Sequence, residues 1–154
     1  MCSMFNIRLD PDLGQHFLLS KSILKKEVEI ADVQENDVVL DIGAGFGFLT
    51  EEIAKKVSKV YAIEIDEKVF QAFSWRLRDK IEAKKIIPIL GDVLEIDVPK
   101  DVTVIISNPP YQIVSLLIIK LLREVFSREN FKTAVMILQR DYIVRLFAKP
   151  GSKN

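Results

Sequence analysis

Cysteine and histidine are nearly absent from this 154-residue sequence, which contains one of each, Cys2 and His16. A single cysteine excludes a disulfide within the chain and a cysteine-based metal cluster. One histidine, in no Ser/His/Asp or metal-ligand constellation, gives no indication of acid–base or metal chemistry. We therefore expect no metal site.

Long apolar runs and an excess of one charge are missing as well. No run approaches the roughly 20 apolar residues of a transmembrane helix, and Arg8, Asp10 and Asp12 interrupt the region where a secretion signal would be apolar. The formal net charge is zero, although residues 120–154 carry an excess of five basic residues. That excess could face phosphates or could equally form solvated helix faces. We expect a cytoplasmic protein that does not enter a membrane.

Apolar runs and amphipathic segments alternate along the chain. The pattern predicts strands over 37–42, 60–65, 86–90, 102–107 and 133–138, and helices over 20–33, 48–57, 66–80, 113–126 and 140–147. Such alternation is typical of an α/β domain, in which a mostly parallel sheet carries helices on both faces. Pro88 has no N–H to give to a sheet, so the strand over 86–90 should lie at an edge.

Three alternate glycines, Gly43, Gly45 and Gly47, follow the first predicted strand. Glycines there allow a sharp turn and a close approach of a ligand to the backbone. A dinucleotide site would also have glycine at position 48, which is Phe48, so a smaller nucleoside ligand is favoured over NAD or FAD. The alternative is a tight turn without a ligand.

Two acidic residues end the next two predicted strands. Glu64 lies 21 residues after Gly43, the spacing at which a carboxylate accepts both hydroxyls of a bound ribose. Asp92 could accept from the amine of an adenine. The alternatives are a surface acid at Glu64, with Asp66 as the better helix N-cap, and an ordinary turn acid at Asp92.

The run Asn108-Pro109-Pro110-Tyr111 follows the fourth predicted strand. The side-chain carbonyl of Asn108 and the backbone carbonyl of Pro109 could hold an exocyclic amine in the plane of a base, on which Tyr111 would stack. Two carbonyl acceptors raise electron density on a weakly nucleophilic aryl amine and orient its lone pair toward a methyl donor. The alternative is a proline-rich turn.

These motifs occur in the order found in a known family. The chain resembles the KsgA family of small-subunit rRNA adenine dimethyltransferases, with the related antibiotic-resistance rRNA methylases close to it. The matching segments are residues 13–18, 41–50, 62–66, 91–92 and 108–111, followed by 138–141 and 150–153. The resemblance implies a Rossmann-like domain over residues 1–154 with strand order 3-2-1-4-5. It also implies that residues 1–19 close the cofactor site, and that the family's later strands and small helical C-terminal domain are absent.

The resemblance implies the cofactor S-adenosylmethionine and a set of site residues. The cofactor-binding residues would be His16, Leu18, Gly43, Gly45, Glu64, Ile65, Asp92 and Asn108, and the catalytic residues Asn108, Pro109 and Tyr111. The implied reaction is methylation of adenine N6 in small-subunit rRNA, as a dimethylation in ribosome biogenesis. We also expect the protein to be a monomer.

Three positions depart from the family pattern. His16 replaces an asparagine, Asp10 and Asp12 stand where basic residues are usual, and Pro109 replaces a leucine or isoleucine. Pro109 is closer to the motif of DNA adenine methyltransferases. Two alternatives therefore stay open, a DNA adenine N6-methyltransferase and a non-catalytic RNA-binding factor for ribosome assembly.

Overall fold

Strands and helices alternate in this computed structural model, which describes residues 20–148. The strands are β1 Val38–Ile42, β2 Lys59–Glu64, β3 Ile86–Leu90, β4 Val104–Ser107 and β5 Thr133–Met136. The helices are α1 Lys21–Ile30, α2 Phe48–Ile53, α3 Glu67–Arg76, α4 Arg78–Glu82, α5 Val114–Glu124 and α6 Arg140–Leu146, with a 3₁₀ turn over Tyr111–Ile113 before α5. The five predicted strands are confirmed, each with ends within two residues of the prediction.

The five strands form one parallel sheet in the order β3-β2-β1-β4-β5. This confirms the α/β fold class and the strand order that the family resemblance implied. Pro88 pairs with Ala62 in β3, the outer strand, so the edge position predicted from its missing N–H is also confirmed.

Two apolar layers cover the two faces of the sheet. On one face, α1, α2 and α3 contribute buried side chains that pack on the strands, among them Leu24, Ile53 and Phe73. On the other face, Leu117 and Leu121 of α5 pack on Leu40 and Ile105 together with the segment that follows β3. Since neighbouring residues of each strand point to opposite faces, both layers are buried and most strand residues are apolar.

Three helices are shorter than the pattern predicted, and one of them, α2, ends at Ile53 instead of residue 57. α1 ends at Ile30 because Asp32 adopts a left-handed backbone conformation, with φ of +46°. The helix predicted over 66–80 is divided at Leu77, whose φ of −109° and ψ of 16° leave the helical region. Asp66 is the N-cap of α3 and accepts from the N–H groups of Lys68 and Val69, as expected for that residue type.

The described residues only partly cover the side of the domain that carries β5. All four residues of β5 are partly exposed, and Leu116, Ile119 and Leu122 of α5 are exposed.

Among residues 20–148, no helix is long and apolar enough to cross a membrane.

Candidate active site at the carboxyl edge of the sheet

The carboxyl ends of β1 and β4 lie side by side where the strand order reverses. From this point β1 leads to β2 and β3 in one direction, and β4 leads to β5 in the other. Ser107, at the end of β4, is fully buried and donates its hydroxyl to the carbonyl of Ile42 at 2.7 Å, which joins the two strand ends. Open α/β sheets bind ligands in the crevice at such a switch point.

The glycine loop after β1 lies directly against the Asn-Pro-Pro run after β4. A Cβ built on Gly43 would lie 3.1 Å from Cδ of Pro110 and 3.9 Å from the carbonyl oxygen of Asn108. Gly43 also has a φ of +70°, which L-residues with side chains rarely adopt. The two motifs, far apart in sequence, therefore form one site.

The third glycine of the loop is required by packing. A Cβ at Gly47 would lie 2.6 Å from the side chains of Leu77 and Phe73, at a φ of +78°. Arg76 of α3 holds the same part of the loop, because its guanidinium donates to the carbonyls of Phe46 and Gly47 at 3.2 and 3.1 Å. Gly47 therefore lets α3 approach the loop, and Gly43 and Gly45 are the glycines that leave space for a ligand.

Glu64 lies buried at the end of β2 and is hydrogen-bonded to the loop. One carboxylate oxygen accepts from the N–H of Gly45 at 2.8 Å and the other from the N–H of Asp66 at 2.9 Å. Burial raises the pKa of Glu64, while the backbone donors oppose that rise. Since each carboxylate oxygen has two lone pairs, both can still accept from a ligand.

Asp92 and Ile65 flank the same edge of the sheet. Asp92 accepts from the N–H of Leu94 at 2.8 Å through one oxygen, as a turn acid does, and its other oxygen has no hydrogen bond within residues 20–148. Ile65, directly after Glu64, is 55% exposed and offers an apolar surface.

His16 and Leu18, also predicted to line the cofactor pocket, lie outside the described residues.

Asn108 follows β4 and contacts a residue that sequence reasoning had not singled out. Its side-chain Nδ2 donates to Oε2 of Glu27, on α1, at 3.2 Å. The other amide atom, Oδ1, is buried and has no hydrogen-bond partner among residues 20–148. A buried amide oxygen left unpaired is unfavourable unless something binds it, so Asn108 presents an acceptor for a ligand group.

Pro109 and Tyr111 complete the run in different surroundings. Pro109 is buried, whereas Tyr111, at the start of the 3₁₀ turn, is 45% exposed. An exposed ring beside a buried acceptor suits a base that stacks on the tyrosine while its amine reaches inward.

Two buried carboxyl groups beneath the site were not predicted to take part in it. Asp41, at β1, accepts from the hydroxyl of Thr50 at 2.6 Å, and burial together with the charge of Glu64 raises its pKa to about 7. Burial also raises the pKa of Glu27 to about 7, against the lowering effect of the Asn108 N–H and with an addition from the charge of Asp41. The sequence does contain a signal for Glu27, because it lies at helical spacing from Leu24 and Ala31 on the buried stripe of α1.

No group of three or more histidine, cysteine, aspartate or glutamate side chains in the described part of the chain is arranged to hold a metal ion. The polar groups of the site are amide, carbonyl and carboxyl acceptors. Such groups are suited to hydroxyl and amine donors on a ligand.

Known proteins with similar sequences share this whole region. A family model described as ribosomal RNA adenine dimethylase matches residues 6–154. A protein of Pyrococcus abyssi named "Probable ribosomal RNA small subunit methyltransferase A" is 37% identical over 154 residues, which is 100% of this chain and 54% of that protein. The dimethyladenosine transferase of Schizosaccharomyces pombe is 36% identical over 144 residues, 94% of this chain and 46% of that protein.

A solved structure agrees with the sequence comparison. The crystal structure of a dimethyladenosine transferase from Plasmodium falciparum superimposes with a TM-score of 0.75 and 32% sequence identity, over 89% of this chain and 48% of that one. The chain therefore spans about half the length of the relatives that it matches.

Proposed function

The chain belongs to the ribosomal RNA adenine dimethylase family, and we propose that it carries the cofactor-binding and catalytic residues of an adenine N6-methyltransferase. The substrate is small-subunit ribosomal RNA, free or in a pre-ribosomal particle, and the product is dimethylated adenine. The cofactor is S-adenosylmethionine, which supplies an electrophilic methyl group. The protein acts in ribosome biogenesis in the cytoplasm, as a monomer.

The observation that carries this proposal is Oδ1 of Asn108, which is buried without a hydrogen-bond partner among residues 20–148. The backbone of Asn108 lies against the glycine loop. An exocyclic amine of adenine has two N–H donors in the plane of the base. Asn108 Oδ1 accepts one, the backbone carbonyl of Pro109 accepts the other, and Tyr111 stacks on the ring. In the first of the two transfers, these acceptors keep the lone pair on nitrogen available and aimed out of the base plane, and the nitrogen loses one N–H proton when the new N–C bond has formed.

The residues around the glycine loop support the proposed cofactor. Within residues 20–148, Glu64 keeps lone pairs for both ribose hydroxyls, and Asp92 keeps one oxygen for the adenine amine. Gly43 and Gly45 leave the backbone accessible, and Ile65 covers one face of the adenine. The buried carboxyl groups of Asp41 and Glu64 also favour a positively charged ligand, and a sulfonium carries that charge.

Residues 1–19, which include His16 and Leu18, close the cofactor site in this proposal, and residues 1–154 form a single methyltransferase domain. A chain without residues 1–19 should bind S-adenosylmethionine more weakly in calorimetry and melt at an unchanged temperature. Equal affinity of the two chains would contradict this role.

Methyl transfer from labelled S-adenosylmethionine tests the function directly. The chain is incubated with immature small subunits, with deproteinised small-subunit rRNA and with duplex DNA, and the nucleosides are analysed by mass spectrometry. N6-dimethyladenosine in RNA supports the proposal. N6-methyladenosine in DNA alone would favour the DNA methyltransferase suggested by Pro109, and RNA binding without any transfer would favour an assembly factor.

A further inference from the structure

Glu27 is a carboxyl group on the buried face of α1. Its side chain is 3% exposed and lies in the apolar stripe that contains Leu24, Val28 and Ala31. In the part of the chain that the structure describes, no lysine or arginine forms an ion pair with it. A buried carboxyl group without a counter-charge destabilises a fold, so fold stability does not account for its position.

The hydrogen bond that Glu27 makes is with the side chain of Asn108. Nδ2 of Asn108 donates to Oε2 of Glu27 at 3.2 Å. Within residues 20–148, the remaining oxygens of the pair, Oε1 of Glu27 and Oδ1 of Asn108, are buried without partners. The –NH₂ end of the Asn108 amide is thus bound to α1, and its oxygen is left to accept a hydrogen bond from a ligand.

An ionised Glu27 permits one orientation of this amide. Both carboxylate oxygens are acceptors, so they bind the –NH₂ end of Asn108 and repel the carbonyl end. A protonated Glu27 can instead donate to Oδ1, which would turn the –NH₂ end toward the ligand. The amine of a base could not donate to that end.

We propose that Glu27 is a positioning residue, which fixes the amide of Asn108 so that Oδ1 faces the amine that is methylated. The identity of that amine rests on the proposed function, whereas the contact itself exists in the free protein. An acceptor held in place before the substrate binds needs no reorganisation during the reaction.

Other charged groups around Glu27 bear on its ionisation. The carboxyl group of Asp41, from β1, acts on it directly, and Asp41 is in turn affected by Glu64. The charged residues of the neighbouring α2 are Glu51 and Glu52, which pair with Arg76, Lys80 and Lys55, while Lys21, Lys25, Lys26 and Glu29 of α1 are exposed. Because burial raises the pKa of Glu27 to about 7, the amide of Asn108 should become fixed as the pH rises through neutrality.

Nuclear magnetic resonance of the free 154-residue chain tests the contact without RNA or cofactor. The side-chain ¹⁵N–H₂ signals of Asn108, assigned by their loss in Asn108→Ala, should shift with a midpoint near pH 7. In Glu27→Leu that titration should disappear. Asn108 signals that do not respond to pH, or that respond equally in Glu27→Leu, would overturn the proposal.

Activity and stability together separate positioning from a structural role. Glu27→Leu should lower kcat by roughly 10- to 100-fold, the scale of a misplaced catalytic group, with an unchanged KM for S-adenosylmethionine. Its melting temperature should be equal or higher, because a buried charge is replaced by an apolar group of similar size. Glu27→Gln can accept from Nδ2 but can also donate to Oδ1, so it should recover only part of the lost rate and should not show the change near pH 7.

Glu29→Leu, on the exposed face of the same helix, is the matched control and should leave both rate and melting temperature unchanged. A normal kcat in Glu27→Leu would contradict the positioning role, as would a kcat in Glu27→Gln equal to that of the wild type. If the wild-type chain methylates no nucleic acid, the proposed function fails. The pH response of the Asn108 signals still decides whether Glu27 orients the amide.

Discussion

The backbone N–H of Gly45 donates to the carboxylate of Glu64 at 2.8 Å. This bond ties the glycine loop after β1 to the end of β2, while the second oxygen of Glu64 accepts from the N–H of Asp66. The carboxylate is therefore held in place from two sides before any ligand arrives. A group held this way loses little freedom when it binds a ligand.

Glu64→Ala should weaken binding of S-adenosylmethionine by about 1–3 kcal/mol, since two charge-assisted hydrogen bonds to the ribose are lost. Titration calorimetry measures the change, and circular dichroism shows whether the variant is folded. Glu67→Ala, at the exposed start of α3, removes a nearby carboxylate and should leave the affinity unchanged. Normal affinity in a folded Glu64→Ala would remove this residue from the site.

Alanine at Gly47 and at Gly43 should have different consequences, although both positions have positive φ. At Gly47 the new Cβ would collide with Phe73 and Leu77 at 2.6 Å, so the free energy of unfolding should fall by about 1–3 kcal/mol or more. At Gly43 the nearest atom is Cδ of Pro110 at 3.1 Å, and the Cβ enters the crevice. Chemical denaturation and calorimetry should show that Gly43→Ala loses more cofactor affinity and Gly47→Ala more stability.

The free protein should become more stable as the pH falls from about 8 to about 5. Burial raises the pKa of Glu27 from 4.5, and that of Asp41 from 3.8, to about 7 in the folded protein. The folded state therefore binds more protons than the unfolded state in this interval, and stability decreases with rising pH by on the order of a few kcal/mol. Urea denaturation across this range measures the trend.

The opposite trend should appear at lower pH, because the pKa values of Asp37 and Asp101 are lowered by hydrogen bonds to Lys132 and Lys59. The stability that these two groups contribute is lost as the pH falls through their folded-state pKa values.

Glu27→Leu is the control for the trend between pH 5 and 8, because it should flatten the decrease in stability with rising pH. A stability that rises steadily between pH 5 and 8 would show that the carboxyl groups of Glu27 and Asp41 are not buried.

Most of the fold could be predicted because the apolar strands are short and clearly bounded. Pro88 identified the outer strand by its missing N–H, and the Gly43 turn marked the end of β1. The break at Leu77 could not be predicted, because the apolar spacing of α3 continues through it. The side chain of Leu77 is buried against Gly47, a contact with a different part of the chain that local periodicity does not contain.

Some residues of the candidate site could be predicted and others could not, because local spacing does not contain contacts between distant parts of the chain. Glu64 and Asn108 follow strands and can be found by counting from strand ends, because such ends meet at one edge of a parallel sheet. Glu27 lies on a helix and reaches Asn108 from another layer. Nothing in the spacing of α1 indicates which polar group its carboxyl meets, although a charged residue on an apolar stripe signals that there is one.

Asn108→Ala should slow methyl transfer by about 100-fold or more, the usual scale for removing one preorganised electrostatic partner. Cofactor binding should be largely intact, because the proposed partner of Asn108 Oδ1 is the amine of the base. Single-turnover transfer and calorimetry on the same preparation give both numbers. Asn130→Ala, whose side chain is exposed and bonds to the carbonyl of Lys100, should behave like the wild type. A full rate in Asn108→Ala would show that another group accepts from the amine.

Tyr111 should act through its ring and not through its hydroxyl. The side chain is 45% exposed at the mouth of the site, where a base can stack on it. Tyr111→Phe keeps the ring and should be nearly as active as the wild type, whereas Tyr111→Ala should lose about 1–3 kcal/mol of base stacking. That loss should appear as weaker RNA binding in a filter or fluorescence assay, with cofactor affinity unchanged. If Tyr111→Phe were as damaging as Tyr111→Ala, the hydroxyl would be the functional group and the base would be held in some other way.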